Sequence, residues 1–244
     1  MRIPRFYLPL PLTVGVTVPL DENAFHHATR VLRLKSGVAV ILFNGEGRAY
    51  SALLTEIGRR EAWARVVEAL PDEVESPLRI VLAQGISRGE KMDYTLQKSV
   101  ELGVAAIQPL FAERGGVDLT GERLMRRFQH WRGIITGACE QCGRNRLPEL
   151  REPLKLGDWL ARPMEPGLRL LLDPSAERGL RDLEPPKGVM TLLIGPEGGL
   201  DPMEIVRARS SDFVGVRLGP RVLRTETAGV AVLGAVQTLW GDWD

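Results

Sequence analysis

The residues whose types and spacing could do chemistry gather in the C-terminal fifth of the chain. Gly195-Pro196-Glu197-Gly198-Gly199 follows an apolar run at 190–194 and precedes a short helix beginning near Asp201. A second apolar run, 213–217, leads into Leu218-Gly219-Pro220-Arg221-Val222-Leu223-Arg224-Thr225-Glu226-Thr227-Ala228 and then into an apolar helix. Two glycine-bearing loops leaving strands of one sheet stand where open α/β sheets place ligands. Glycine lets the backbone approach a ligand closely because no Cβ intervenes. The first loop matches neither the dinucleotide fingerprint nor a P-loop, which needs a lysine after its glycines. Glu197 occupies the place a phosphate would take, so a polyphosphate is disfavoured. A neutral or cationic ligand held by backbone groups fits better.

The elements that must position these loops follow from periodicity. From 78 onward, apolar runs at 78–83, 104–110, 168–172, 190–194 and 213–217 alternate with helical patterns at 89–102, 121–142, 154–161, 201–209 and from about 225. Near-continuous apolar strands alternating with helices predict an α/β fold, a mainly parallel sheet covered on both faces. Upstream, 21–33 has helical spacing with Asp21 as its cap. Short β-type runs at 38–43, 48–54 and 62–69, separated by turn signals at Asn44-Gly45 and Ile57-Gly58, predict a small barrel. The acidic, proline-bounded stretch 71–77 reads as a linker between a domain at 1–70 and one at 78–244.

LLIGPEGGL (192–200) followed by RLGPRVLRTETA (217–228) resembles the bacterial 16S rRNA uracil-N3 methyltransferases. RFY (5–7), HATRVLRLKSG (27–37), QKSVELGV (97–104) and EQCGR (140–144) extend the resemblance along the whole chain. It implies the SPOUT class of S-adenosylmethionine enzymes, with a deep trefoil knot in the C-terminal chain and a PUA-like N-terminal domain. It further implies methylation of N3 of one uridine in helix 44, in the decoding region of the small ribosomal subunit, and a homodimer with the cofactor site near the subunit interface. On that reading Gly195, Glu197, Gly198 and Gly199 approach the cofactor. Leu172, Ile194, Leu218 and Leu223 wall it, and Arg224, Thr225, Thr227 and Ala228 complete the site.

Uracil N3 must lose its proton before or during transfer, by a general base or by stabilisation of the developing anion. Arg217, Arg221 and Arg224 are candidates for the stabilising charge, and Glu197 or Glu226 for the acceptor. Glu226 suits equally an acid in the first turn of a helix, and Thr225 a helix cap; Arg224 and Glu226 are the catalytic candidates. The base must be single-stranded or extruded, since pairing occupies N3. Two alternatives stand beside this reading: a non-catalytic RNA-binding or assembly factor, and a methyltransferase of another RNA position.

Arg2, Arg5, Phe6, Tyr7, Arg30, Arg33 and Lys35 combine cations with rings, a pattern suited to RNA. Arg123, Arg126, Arg127, His130 and Arg132 place further cations on one long helix, with Arg144 and Arg146 beyond it; a solvated helix face explains them equally well. Gln97, Lys98 and Glu101 read as structural. A net charge of +1 over 244 residues excludes a uniformly basic coat and requires any RNA site to be a local patch. Cys139 and Cys142 form an isolated C-x-x-C, and the histidines lack zinc-finger spacing, so no metal is expected. With no apolar run of about 18 residues and no signal-peptide pattern, a cytoplasmic protein is expected.

Overall fold

The computed structural model describes residues 3–71, 74–116 and 119–243. Its chain forms two compact units, one from Met1–Glu75 with Thr136–Leu147, the other from Ser76–Ile135 with Pro148–Asp244.

The first unit is built on β1 (Arg5–Tyr7), β2 (Thr17–Pro19), α1 (Glu22–His26), β3 (Ala39–Phe43), β4 (Ala49–Ile57) and β5 (Ala62–Leu70). Its sheet has the order β1-β3-β4-β5-β2; β1 lies parallel to β3 and the remaining pairs are antiparallel. Two register shifts between β4 and β5, after Ser51 and after Leu54, are irregularities of the kind that bend a strand and raise its twist. Phe6, Leu8, Leu42 and Leu54 are buried in its core. Asp21 caps α1 as expected, its Oδ1 accepting from the Ala24 N–H at 2.8 Å. The predicted helix 21–33 is not one α-helix, however: from His27 to Val31 it widens into a π-turn. The Thr29 hydroxyl donates to the Phe25 carbonyl at 2.8 Å, a back-bond of the kind that bends helices. Arg33 then takes a left-handed φ of 52°.

The second unit contains β6 (Arg79–Gly85), α2 (Glu90–Glu101), β7 (Ala106–Phe111), the first part of α3 (Gly121–Cys142), β8 (Glu149–Leu150), β9 (Leu154–Lys155), α4 (Leu156–Leu160), β10 (Gly167–Leu172), β11 (Val189–Ile194), α5 (Pro202–Ser210), β12 (Val214–Val216) and α6 (Thr225–Trp240). Its sheet runs β12-β10-β11-β6-β7-β8, with β9 also on β7. Every pairing is parallel, which accounts for the unbroken burial of Val189–Ile194. All C-terminal strand ends therefore point the same way, and the two glycine-bearing loops emerge together after β11 and β12. From the sheet edge at β12 the chain returns as α6 to pack on α2 and β11. No helix among the described residues is long and apolar enough to cross a membrane.

Candidate functional site

At the C-terminal ends of β10, β11 and β12 lies a cavity of about 600 Å³. Of the residues singled out from sequence, Leu172, Ile194, Gly195, Glu197, Gly198, Gly199, Leu218, Leu223, Arg224, Thr225 and Ala228 all line it, as do Arg217 and Arg221. Glu226 and Thr227 do not. The reason is helical phase: Thr225 opens α6, residues three apart share a face, and Thr225 and Ala228 take the cavity side. Thr227 is exposed. Glu226 buries its Oε2 with no hydrogen-bond partner among the described residues.

One hydroxyl ties the two loops together. Thr225 Oγ1 donates to the Gly195 carbonyl at 2.6 Å and accepts from Gln84 Nε2 at 2.8 Å. Thr225 is therefore not the helix cap; Arg224 holds that position with extended backbone and no side-chain bond. Gln84 is fully buried and its Nε2 also reaches the Gly85 carbonyl at 3.0 Å. Thr225→Val should lower stability by about 1–3 kcal/mol, since it strands buried polar partners. Urea titration checks this, and an unchanged midpoint would contradict it.

The first loop is pinned by close backbone approach. A Cβ on Gly85 would stand 2.5 Å from the Pro196 nitrogen, and one on Gly198 would stand 2.6 Å from the Arg114 carbonyl oxygen. Beyond the loop, Asp201 caps α5 by accepting from Met203 N–H at 3.0 Å. Glu204 returns the bond, accepting from the Asp201 N–H at 2.8 Å with one oxygen and from the Glu113 N–H at 3.0 Å with the other. This capping box satisfies N–H groups at the start of α5.

Glu197 is committed to the same scaffold. Its Oε1 accepts from the Arg88 N–H at 3.1 Å and lies 3.3 Å from Lys91 Nζ. Burial pushes its pKa up, but its own backbone N–H, the Arg88 N–H and Lys91 outweigh that and hold it below the ordinary carboxylate value. A carboxylate so held is a weaker proton acceptor than an ordinary one. The lowered folded-state value also fixes a pH dependence. Glu197 binds its proton less readily when folded, so its stabilisation is complete above the ordinary value of 4.5 and fades as pH falls through the folded value. Between neutral pH and about pH 3, the urea midpoint of the wild type should fall more steeply than that of Glu197→Gln. Parallel curves would contradict this.

Asp173, at the end of β10, also faces the cavity. Burial raises its pKa, but bonds from the Ser175 hydroxyl and N–H and from Arg209 prevail and lower it. Arg217, Arg221 and Arg224, by contrast, are exposed, and none of their guanidinium groups has a hydrogen-bond or ion-pair partner among the described residues. The cavity thus joins apolar walls and backbone polar groups to three cations unpaired among the described residues. Such a site can seat an uncharged or cationic small molecule beside a group that develops negative charge.

Models of the RNA methyltransferase domain and of the RNA methyltransferase PUA domain match residues 74–237 and 20–67. The chain belongs to this RNA methyltransferase family. Within that family, ribosomal RNA small subunit methyltransferase E of Buchnera aphidicola subsp. Schizaphis graminum is 35% identical over 99% of this chain and 98% of its own length. Ribosomal RNA small subunit methyltransferase E from Neisseria gonorrhoeae, solved bound to S-adenosyl methionine, is 42% identical with a TM-score of 0.93, and both chains are covered in full. A methyltransferase from Legionella pneumophila, solved with its bound cofactor SAM, is 40% identical with a TM-score of 0.96, again over both full chains.

Several residues around this cavity escape sequence reading: Lys91, Arg114, Leu171, Asp173 and Leu200 on its wall, and Gln84 and Gly85 behind it. Most lie at or just past the C-terminal end of a parallel strand, a rule that could have found them.

The basic surface expected of the first unit is narrower than predicted. Arg2 lies outside the described residues. Phe6 is fully buried in the core and cannot stack on a base. Arg5 Nη2 donates to the Gly143 carbonyl at 3.0 Å and to Asn145 Oδ1 at 2.5 Å, so its charge serves internal packing. Tyr7 is tilted against Phe43, and its phenol is pushed up by burial first and Asp21 second. Arg30, Arg33 and Lys35 remain exposed. Arg144 is buried against Glu75, Nε to Oε2 at 3.0 Å, and Arg146 gives its N–H to the same carboxylate at 3.2 Å. Lys98 pairs with Glu101 at 2.8 Å, a structural contact as expected. Burial pushes the Cys139 thiol up to about 12, too high for a thiolate ligand or nucleophile. Among the described residues no cluster of three or more His, Cys, Asp or Glu could hold a metal ion.

Proposed function

We propose that this enzyme uses S-adenosylmethionine to methylate N3 of one uridine of 16S rRNA, in the decoding region of the small subunit. The observation that carries the proposal is the cavity between the two loops, lined by backbone polar groups, by apolar side chains and by Arg217, Arg221 and Arg224. The relatives solved with the cofactor span the whole chain, which supports the same occupant here. When bound, the cofactor supplies an electrophilic methyl group on a sulfonium. The backbone of Gly195, Gly198 and Gly199 borders the cavity, with open space where a Gly199 Cβ would stand, and Leu172, Ile194, Leu218 and Leu223 exclude water.

Arg224 is assigned the stabilising charge at the uracil oxygens as N3 loses its proton, with Arg221 and Arg217 beside it. Glu226, off the cavity wall, is assigned no step at the base. Arg30, Arg33 and Lys35 contact the RNA from the first unit. Trefoil threading of the C-terminal chain and a cytoplasmic location with the ribosome belong to the same reading, as does a homodimer. Val232, Leu233 and Val236 of α6 are already buried in this chain. A second copy would therefore meet exposed apolar residues such as Met203, Val206 and Val222. Calorimetric titration with S-adenosylmethionine tests the site: binding at one molecule per chain is expected, and no heat of binding would refute the assignment.

A further inference from the structure

A second cavity, of about 580 Å³ and more open than the first, adjoins the loop between β6 and α2. Arg88, Arg123, Arg126, Arg127 and His130 line it with Ser87, and no acidic residue is among its described lining residues. Three of its basic groups are set in place by the protein. Arg88 Nη2 donates to the Gly116 carbonyl at 3.2 Å and Arg127 Nη2 to the Gly89 carbonyl at 2.7 Å. Arg127 also lies 3.6 Å from Asp93 Oδ1, and His130 lies 2.9 Å from Asp93 Oδ2. The remaining two are available. Arg123 has no hydrogen bond or ion pair among the described residues. Arg126 pairs with Glu122 at 2.8 Å, with both side chains more than three-quarters exposed, a contact worth about 0–1 kcal/mol and easily exchanged.

Arg123, Arg126, Arg127 and His130 fall at i, i+3, i+4 and i+7 of α3, hence on one face. Like charges at that spacing disfavour a helix by a few tenths of a kcal/mol per pair, roughly; a bound anion relieves the repulsion. Guanidinium groups converging on one opening match the paired oxygens of a phosphate. Position selects the kind of phosphate. The same loop serves both cavities: Arg88 gives its side chain to the second and its N–H to Glu197 of the first, and Lys91, one turn on, lines the first. A strand that presents a base to the first cavity has its backbone beside this loop.

We propose that the second cavity binds a backbone phosphate of the RNA strand flanking the target nucleotide, with Arg123 and Arg126 as its exchangeable contacts. The inference rests on the RNA-methyltransferase reading. The test compares the full-length wild type with Arg123→Ala/Arg126→Ala in binding small-subunit rRNA over a series of KCl concentrations. The expected result is affinity lower by about tenfold at low salt, with a salt slope shallower by ~1–2. Cofactor affinity and the thermal midpoint should be unchanged. A matched variant, Arg162→Ala/Lys187→Ala, removes the same charge near the N-terminal ends of the strands and should weaken binding far less. Equal weakening by the two variants, or wild-type affinity and slope in a double variant that still methylates rRNA, would overturn the site and leave the enzyme reading intact. A wild type that binds cofactor but methylates no rRNA would overturn both.

Discussion

Gly85→Ala should weaken S-adenosylmethionine binding by at least ~30-fold, or about 2 kcal/mol, although residue 85 need not touch the cofactor. The new Cβ would sit 2.5 Å from the Pro196 nitrogen and 2.9 Å from the Gly195 carbonyl carbon. Real Cβ atoms do not approach backbone so closely, so one side must move. Gly85 cannot move easily: it ends β6, which is paired with β11 on one side and with β7 on the other, and the next residue, Ile86, donates to the Leu110 carbonyl at 2.9 Å. The loop at 195–196 therefore retreats, and the Thr225 bond to the Gly195 carbonyl is lost with it. Overpacking of this kind costs about 1–3 kcal/mol in stability. Calorimetry and urea unfolding on the same sample check both parts. Wild-type affinity would show that the loop is not fixed by its seat on Gly85.

Arg224→Ala should have the opposite signature, a large loss of turnover with little change in cofactor affinity or stability. Arg224 precedes α6 with φ −65° and ψ 154° and gives no side-chain bond to the helix, so alanine leaves the fold alone. Its guanidinium, exposed at the cavity, has no hydrogen-bond or ion-pair partner among the described residues to lose. If it meets the negative charge that grows on uracil as N3 is deprotonated, its removal lowers kcat by about 10²–10³-fold, the scale of one lost electrostatic donor. Arg224→Lys, which keeps the charge and loses the planar fork, should recover part of the loss. Single-turnover methyl transfer measures this, and wild-type turnover in Arg224→Ala would remove the residue from the mechanism.

The contrast between these two variants marks what was legible in the sequence. The place of Arg224 on the cavity wall was legible because it stands in a distinctive run after a recognisable strand, as do the glycines at 195–199. The strand–helix alternation after 78 was legible for the same reason: buried parallel strands leave unbroken apolar runs. Gly85 and Gln84 could not be found, because what matters about them is the segment they meet more than 100 residues later. β1 and β2, three residues each, are too short to show alternation. The π-turn at His27–Val31 keeps the apolar spacing of an α-helix closely enough to pass for one. Arg5 and Phe6 read as an RNA surface because a guanidinium and a ring look alike in sequence, whether they face solvent or Asn145. The return of Thr136–Leu147 to the first unit has no local signal at its start, since α3 runs unbroken from Gly121 to Cys142 across the boundary after Ile135. Glu226 and Thr227 differ from Thr225 only by helical phase, which depends on where α6 begins.

The central claim is tested most directly by offering the protein radiolabelled S-adenosylmethionine with 16S rRNA from a strain lacking this modification, naked and in isolated small subunits. The labelled RNA is then digested to nucleosides. The account predicts label in 3-methyluridine. Label in any other nucleoside, or no label in either substrate, would contradict it.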